Sequence, residues 1–287
     1  MTMPKYFYIK YFIMVLILGT VTADTKAQKI EVGVLVGGSY YYGDIVNDWQ
    51  PNTISNAAGV FLRYHLSENL TVKGFGGYCR IGGADSNSTG SSYQKHRNLA
   101  FWADVYEGSV QFEYSFVKDI TRGRRLRNRF IPYVFAGLGA FYYMNYANDP
   151  LYPLIPAKLW QLGTSGTVYS QLSACIPFGA GVRYKITSNF NIGLEVGIRY
   201  TLTSWLDDVG GPTTSFVTKD KLLYEQSRRM SDMSVEHGYL YSGGQRGKIA
   251  TNDIYVMGGL TLSYRFGTSG GGGGGYRGRA IRCPRFY

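Results

Sequence analysis

The sequence predicts an all-β fold, an eight-stranded antiparallel up-and-down transmembrane β-barrel, and three observations support this class. First, apolar and polar residues alternate along several long segments with the two-residue period of a β-strand. Second, no segment after residue 27 is a continuous apolar run of the length that a membrane-spanning helix needs. Third, the connections between the alternating segments are short and long in turn, as in bacterial outer-membrane barrels.

The clearest alternation runs from Asn189 to Thr203. Every second residue from Phe190 to Leu202 is apolar, and the positions between them hold polar, charged or glycine residues, including Glu195 and Arg199. The segment has about the length that a tilted strand needs to cross a bilayer. A strand of a soluble β-sandwich is usually shorter and turns its apolar face to a core, so this segment indicates a strand whose apolar face meets lipid.

Seven further segments show the same alternation. The eight predicted strands are Ile30–Tyr42, Ala58–Leu66, Leu70–Ile81, Trp102–Phe116, Ile131–Tyr146, Ala174–Ile186, Asn189–Thr203 and Ile254–Phe266. An even number is expected of a bacterial single-chain barrel. The fifth strand is rich in aromatic residues on both faces, and the pattern does not decide which of its faces points inward.

The connections predict the orientation of the barrel. Residues 67–69 and 187–188 are short turns, and residues 118–129 form a longer, basic turn. The other four connections are longer, and the last of them, 205–253, contains a predicted short helix at 219–232. Because short turns face the periplasm and long loops face outward, we expect an OmpX/OmpA-like barrel with long outer loops and both termini in the periplasm.

The N-terminus has the order of a secretory signal peptide. Lys5 and Lys10 precede the apolar run 11–21, and small residues follow at Ala23 and Ala27. We expect cleavage after Ala27, with Ala23 as the alternative; a membrane anchor is disfavoured because the run is short. The predicted domains are a signal peptide at 1–27, an outer-membrane β-barrel at 28–267, and a glycine-rich linker with a basic periplasmic tail at 268–287.

If the apolar face meets lipid, the opposite face of each strand lines the lumen and carries charges of both signs. An eight-stranded barrel is just wide enough to be filled by side chains, and buried charges are costly unless they are paired. We therefore expect Glu113 and Glu195 to lie beside arginines, with a narrow water-filled path as the alternative. The predicted lumen charge network comprises Arg63, Glu107, Glu113, Arg183, Glu195, Arg199 and Arg265. The same face also includes Glu31, His65, Lys73 and Lys185.

The sequence predicts no catalytic, cofactor-binding or metal site, and we expect a protein that is not an enzyme. Of its three histidines, His65 lies near the periplasmic end, while His96 and His237 lie in outer loops. An outer-membrane hydrolase would need a histidine with an acid or serine within hydrogen-bond reach. The carboxylates of Asp44–Asp48 and Asp207–Asp208 lack the spacing of a calcium loop, so we expect them to be solvated turn residues.

The three cysteines give no predicted intramolecular disulfide. Cys79 and Cys175 lie on strands that are not neighbours, so the approach of about 7 Å that a disulfide requires is not expected. Cys283 lies alone in the tail. It is either a free thiol open to an intermolecular disulfide or a buried residue at a partner interface.

Basic residues are concentrated in two places within a chain of net charge +11. Both the 118–129 turn and the tail lie on the periplasmic side in this topology. The anions available there are acidic protein surfaces, lipid phosphates and peptidoglycan carboxylates; nucleic acid is not an expected partner. A simple solvated turn is the alternative. The predicted partner-docking residues are Arg122, Arg124, Arg125, Arg127, Arg277, Arg279, Arg282 and Cys283.

Three segments carry a family resemblance. They are the Gly-rich and Tyr-rich segment Glu31–Asp44, the segment Pro132–Gly139, and the ending that runs from Arg246-Gly247 through Asn252–Tyr255 to Gly259–Phe266. They resemble the first, fifth and last strands of the PorG-type outer-membrane barrels of the Bacteroidetes type IX secretion (Por) system. The resemblance extends from about Ile30 to Phe266 and is strongest at both ends.

This resemblance implies a non-enzymatic secretion component in the outer membrane of a Gram-negative, Bacteroidetes-like cell. Proteins of that family associate with a periplasmic PorK–PorN ring, are needed for export of cargo and, in gliding relatives, for motility. It implies outer-membrane lipid and ring proteins as partners, with no cofactor and no small-molecule substrate. The alternative is a generic OmpX/OmpA-like surface barrel that binds a ligand or a host surface through its outer loops.

Overall fold

The computed structural model describes residues 30–88, 92–119, 121–122, 125–126, 128–149, 151–162, 164, 169–209, 221–234, 247 and 252–266. The predicted signal peptide at 1–27 and the tail at 268–287 lie outside these residues.

The described residues form β-strands for most of their length. In chain order the strands are β1 (Ile30–Tyr42), β2 (Ser55–His65), β3 (Leu70–Ala84), β4 (Ala100–Ser115), β5 (Thr121–Arg122), β6 (Arg125–Leu126), β7 (Phe130–Asp149), β8 (Tyr152–Lys158), β9 (Leu172–Lys185), β10 (Phe190–Thr201) and β11 (Ile254–Arg265). Eight of them are long antiparallel strands that pair with their neighbours in chain order. The ring closes because β11 pairs with β1, and β4 pairs with β7.

The prediction of an eight-stranded antiparallel barrel is confirmed. The first predicted strand has the observed bounds, and the other barrel strands start and end within about three residues of the prediction. Ile30 and Arg265 lie at the same end of the barrel, together with the short turns 66–69 and 186–189. We call this the turn end and the opposite end, which carries the four longer connections, the loop end.

The barrel is apolar outside and polar inside. On β4, Val110 and Phe112 are more than half exposed, whereas Gln111 and Glu113 are fully buried between them. Odd-numbered residues point inward on all eight barrel strands, which also settles the orientation of the fifth, where Tyr133 is buried. An apolar surface this large is unfavourable in water and is the surface of a transmembrane barrel.

Inward-facing glycines make room for aromatic rings in the lumen. A Cβ atom on Gly33 would lie 2.3 Å from Cζ of Phe61, and one on Gly77 would lie 2.7 Å from Phe75. The rings therefore occupy the space that side chains at these positions would fill. An eight-stranded barrel has a narrow lumen. Here aromatic rings fill it, and inward-facing glycines leave the space that the rings need.

The longer connections fold over the loop end. They contain α1 (Ser92–Arg97), α2 (Leu159–Leu162) and α3 (Lys221–Ser231), and α3 confirms the helix predicted within 219–232. No helix among the described residues is long and apolar enough to cross a membrane. Apolar residues of these connections are buried together and form what we call the loop-end cap: Ile45, Val46, Leu99, Leu159, Leu162, Leu206, Val209 and Met230.

Candidate functional site: a charged lumen closed at both ends

The main cluster of the lumen is organised around Arg63 on β2. Its Nε lies 2.9 Å from both carboxylate oxygens of Glu113, and its Nη1 lies 3.0 Å from Oε1 of Glu31. Its Nη2 reaches Oε2 of Glu195 at 3.4 Å. One guanidinium thus contacts carboxylates from three other strands, and all four side chains are buried.

Lys73 and Arg183 complete this cluster. Nζ of Lys73 lies 2.5 Å from Oε1 of Glu195, and Nη2 of Arg183 lies 2.9 Å from Oε2 of Glu113. The Tyr133 hydroxyl donates to Glu195 at 2.7 Å. Of the predicted network, Arg63, Glu113, Arg183 and Glu195 therefore belong to one connected cluster, and the two carboxylates expected beside arginines each contact Arg63.

Glu107 and Arg199 form a separate pair closer to the loop end. Nε of Arg199 lies 3.0 Å from Oε2 of Glu107, which also accepts a hydrogen bond from the Tyr255 hydroxyl at 3.0 Å. The Phe75 ring has Lys73 5.4 Å from its centroid and Arg199 5.7 Å from it. An aromatic layer thus separates two charged layers that the sequence pattern presented as one network.

A carboxylate from the connection after β4 closes the turn end. Asp119 contacts Arg183 at 3.1 Å, and it also contacts Lys185 and Arg265 closely. Burial raises the pKa of Asp119, but the charges of Arg265, Arg183 and Lys185 outweigh it and hold that pKa well below its ordinary value. Strand parity gave no signal for Asp119 because it lies beyond the end of β4.

Arg265 and His65 extend this closure. Nη2 of Arg265 lies 3.2 Å from Oε2 of Glu31 and 2.8 Å from Nε2 of His65. His65 also lies 3.1 Å from Glu31 and 2.9 Å from the Thr71 hydroxyl. The histidine is thus a packed member of the polar interior at the turn end.

The expectation that Asp207 and Asp208 are solvated is wrong. Both are buried, Asp207 at 1% and Asp208 at 0% exposure. The Tyr169 hydroxyl donates to Asp208 at 2.7 Å, and Thr164 contacts the same carboxylate. The burial comes from connections that meet at the loop end, and no local pattern around 207–208 encodes it.

Asp207 shares one tyrosine hydroxyl with Asp253. Oη of Tyr41 lies 2.7 Å from Oδ2 of Asp207 and 2.7 Å from Oδ1 of Asp253. A hydroxyl has one hydrogen to donate, so the second contact requires a protonated carboxyl that donates to Oη. Burial, and then the charge of Asp44, raise the pKa of Asp207 to about 7. Burial likewise raises the pKa of Asp253 well above its ordinary value.

The described residues hold no group of three or more histidine, cysteine or acidic side chains that could bind a metal ion. His96 lies exposed on α1, and His237 lies outside the described residues. Cys79 and Cys175 are both buried free cysteines.

The predicted docking residues are only partly placed. The backbones of Arg122 and Arg125 pair in the small hairpin of β5 and β6, within the connection between β4 and β7. Lys118 and Arg129 in the same connection are exposed, and Lys118 lies 3.7 Å from Glu68. Outside the described residues lie Arg124, Arg127, Arg277, Arg279, Arg282 and Cys283.

Comparison with known proteins finds one matching protein family and several solved β-barrel structures of low sequence identity. The model of a family described as a domain of unknown function (DUF6089) matches residues 9–243. A search of the curated proteins finds no match. Among solved structures, the N-terminal β-barrel domain of Pseudomonas aeruginosa OprF is 12% identical, with 84% of this chain and 98% of that chain covered and a TM-score of 0.38.

Two further solved structures are similar at the same level. Neisserial surface protein A is 10% identical, with 83% of this chain and 97% of that chain covered and a TM-score of 0.41. Ail, the attachment invasion locus protein of Yersinia pestis, is 13% identical, with 83% and 98% covered and a TM-score of 0.38.

Proposed function

The chain belongs to the DUF6089 family, a domain of unknown function, and we propose that it is a non-enzymatic outer-membrane component of a type IX protein secretion machinery. In this role the barrel anchors a periplasmic ring complex to the outer membrane, and the complex exports cargo. The proposal rests on the resemblance of three strand segments to PorG-type barrels and on the distribution of charge at the turn end.

The observation that carries the docking step is the position of Asp119. It is the acidic residue of the 118–129 connection, and its carboxylate is neutralised inside the barrel by Arg183, Lys185 and Arg265. It therefore does not offset the basic residues of the same connection. The turn end presents a surplus of positive charge, which favours an acidic protein surface as its partner.

The closed lumen supports an anchoring role over a transport role. Charged side chains from most strands contact one another across the interior, and Asp119 adds a further contact at the turn end. Side chains of the loop-end cap are buried over the opposite end. A barrel filled in this way offers its surfaces for binding and holds its interior as a rigid scaffold.

A pull-down from cells tests the docking step. The variant lacks 270–287 and carries Arg122→Gln, Arg124→Gln, Arg125→Gln and Arg127→Gln. We expect it to reach the outer membrane at the wild-type level but to lose co-purification of the periplasmic ring proteins and secretion of cargo. The control carries Lys95→Gln, Lys158→Gln and Arg228→Gln, which remove exposed charge at the loop end, and it should behave as wild type.

Ring association and secretion at the wild-type level in the docking variant would overturn the proposal. The second candidate, a surface barrel that binds through its outer loops, is favoured by the ordered core of the loop-end cap, because a fixed surface can bind with little loss of entropy. Removal of residues 210–247 tests this second candidate. Loss of binding to a ligand or host surface in that variant, with ring association intact, would favour the surface-binding barrel.

A further inference from the structure

An open groove of about 460 Å³ lies on the outward, lipid-facing side of the barrel where β1 to β4 run side by side. Its lining includes Val34, Ala58, Val60, Gly76, Tyr78 and Tyr106. Gly76 on β3 lies directly opposite Gly108 on β4, and Gly74 follows on the same face. The outer surface of the barrel is therefore recessed at these glycines, and Tyr78 and Tyr106 border the recess on the side toward the loop end.

Barrel packing does not require these outward glycines. A Cβ atom added to Gly74, Gly76 or Gly108 would meet no atom within 4 Å. By contrast, a Cβ on the inward-facing Gly59 would lie 2.6 Å from the Phe75 ring. The missing side chains on the outward face thus serve no packing need inside the barrel, and their absence keeps the groove open.

A charged pair lies on the same face, just beyond the groove toward the loop end. Arg80 and Asp104 are paired across β3 and β4, two residues beyond Tyr78 and Tyr106. Nε of Arg80 lies 2.8 Å from Oδ1 of Asp104, which also accepts a hydrogen bond from the Tyr78 hydroxyl at 2.7 Å. Half of the Arg80 side chain remains exposed.

Aromatic residues mark this level as the edge of the membrane. The rings of Tyr78 and Tyr106 lie 5.3 Å apart, and Trp102 stacks on Tyr146 at 6.0 Å. Such aromatic girdles lie at the headgroup level of a transmembrane barrel. Arg80 is thus at headgroup depth. Gly76 lies four residues away, about 13 Å along the strand, and because barrel strands are tilted by about 40° this places it about 10 Å deeper, among the acyl chains.

We propose that this column of residues is a binding site for a lipid with an anionic phosphate headgroup. The phosphate contacts the exposed side of the Arg80 guanidinium, which forms strong charge-assisted hydrogen bonds with phosphate oxygens. Asp104 and Tyr78 fix the Arg80 side chain, and one acyl chain lies in the groove over Gly76 and Gly108. The order of charge, aromatic girdle and apolar groove follows the order of headgroup, interface and chain in the lipid.

Lipid retention by the purified full chain tests the site. Native mass spectrometry would compare phosphatidylglycerol with phosphatidylcholine of the same acyl chains. Wild type should retain phosphatidylglycerol preferentially, and Arg80→Gln should reduce that retention roughly tenfold, about 1.4 kcal/mol. Gly76→Leu with Gly108→Leu should reduce retention of both lipids, because it fills the groove.

Matched controls separate the site from the general surface. Lys158→Gln removes an exposed charge elsewhere, and Ala180→Leu adds apolar volume to the exposed face of β9; both should retain lipid as wild type does. Asp104→Asn keeps an oxygen at this position that accepts from Arg80 and Tyr78, and it removes the negative charge that opposes a phosphate. The preference for phosphatidylglycerol should therefore persist or increase. This variant also serves as a second probe if Arg80→Gln does not fold, as judged by heat-dependent gel migration.

Three outcomes would overturn the proposal: equal retention of the two lipids by wild type, wild-type preference in folded Arg80→Gln, or loss of preference in folded Asp104→Asn. Wild-type retention in the groove-filling variant would show that the acyl chain lies elsewhere and would overturn the groove assignment.

Discussion

Arg63 holds together carboxylates that would otherwise repel one another. It contacts Glu31, Glu113 and Glu195, which come from three different strands. Removing one member of a buried ion cluster leaves the remaining charges without compensation, and that cost exceeds the gain from forming the cluster. The stability of the lumen therefore depends more on Arg63 than on any exposed arginine.

Replacement of Arg63 by methionine should destabilise the barrel by about 3–5 kcal/mol. The measurement is the free energy of unfolding in urea for protein refolded into vesicles. Arg129→Met, at an exposed position, should cost less than about 1 kcal/mol. Adding Glu113→Gln to Arg63→Met should recover part of the loss, and a loss as small as that of Arg129→Met would contradict this account.

The shared hydroxyl of Tyr41 makes the loop-end cap sensitive to pH. Asp207 has an ordinary pKa of 3.8 and a raised pKa of about 7 in the folded protein. The folded protein therefore binds more protons than the unfolded chain between these values. The contribution of Asp207 to the free energy of unfolding is fully present below pH 3.8 and is lost as the pH rises through about 7.

Asp207→Asn should flatten this dependence. In wild type the free energy of unfolding should fall between about pH 4 and about pH 8, with most of the slope between the two pKa values. Asp253 contributes in the same direction, and Asp44 and Arg97 are the other charged groups that act on Asp207. The same slope in wild type and in Asp207→Asn would exclude the shared proton as its cause.

At the scale of the element, the strands were predictable and the ends of the connections were not. Alternation over a dozen residues fixes both a strand and its inward face, because each position repeats the same signal. Asp207 and Asp119 carry no such signal. The partners that bury them are distant in sequence, with Tyr41 166 residues from Asp207 and Arg265 146 residues from Asp119.

The charged residues of the lumen show the same difference between what local sequence predicts and what only the folded barrel determines. Parity predicted which charges face inward, as at Glu113 and Arg183, because it depends on local periodicity alone. It did not predict that Glu107 and Arg199 pair apart from the main cluster. That separation depends on Phe75, whose ring lies between Lys73 and Arg199, and ring placement is a property of the closed barrel.

The connection at 116–129 should be anchored by Asp119. Asp119→Ala removes its contacts with Arg183, Lys185 and Arg265, so we expect trypsin to cut within 118–129 faster. The increase should be about tenfold for every 1.4 kcal/mol of lost anchoring. Glu68→Ala, which removes an exposed contact with Lys118, is the control and should leave the rate unchanged; equal rates in all three proteins would show that Asp119 is no anchor.

At the scale of the molecule, the two halves of the lumen differ in chemistry. The half toward the turn end holds the charged cluster of Arg63, Glu113 and Glu195. The half toward the loop end holds the single pair Glu107–Arg199 among buried apolar and aromatic residues such as Val105, Phe141 and Tyr255. Buried charged side chains oppose the passage of apolar solutes, and buried apolar side chains oppose the passage of ions. Any solute that crosses the barrel therefore meets both barriers.

The purified protein in planar bilayers should therefore give no stable conductance steps. Removal of 210–247 takes away part of the loop-end cap, but it leaves the pair Arg199–Glu107 and the cluster around Arg63 in place. That variant should also be non-conducting, because the seal is distributed along the barrel axis and does not depend on the cap. Stable steps in wild type would contradict the closed lumen, whereas steps in the deletion variant alone would assign the seal to the cap.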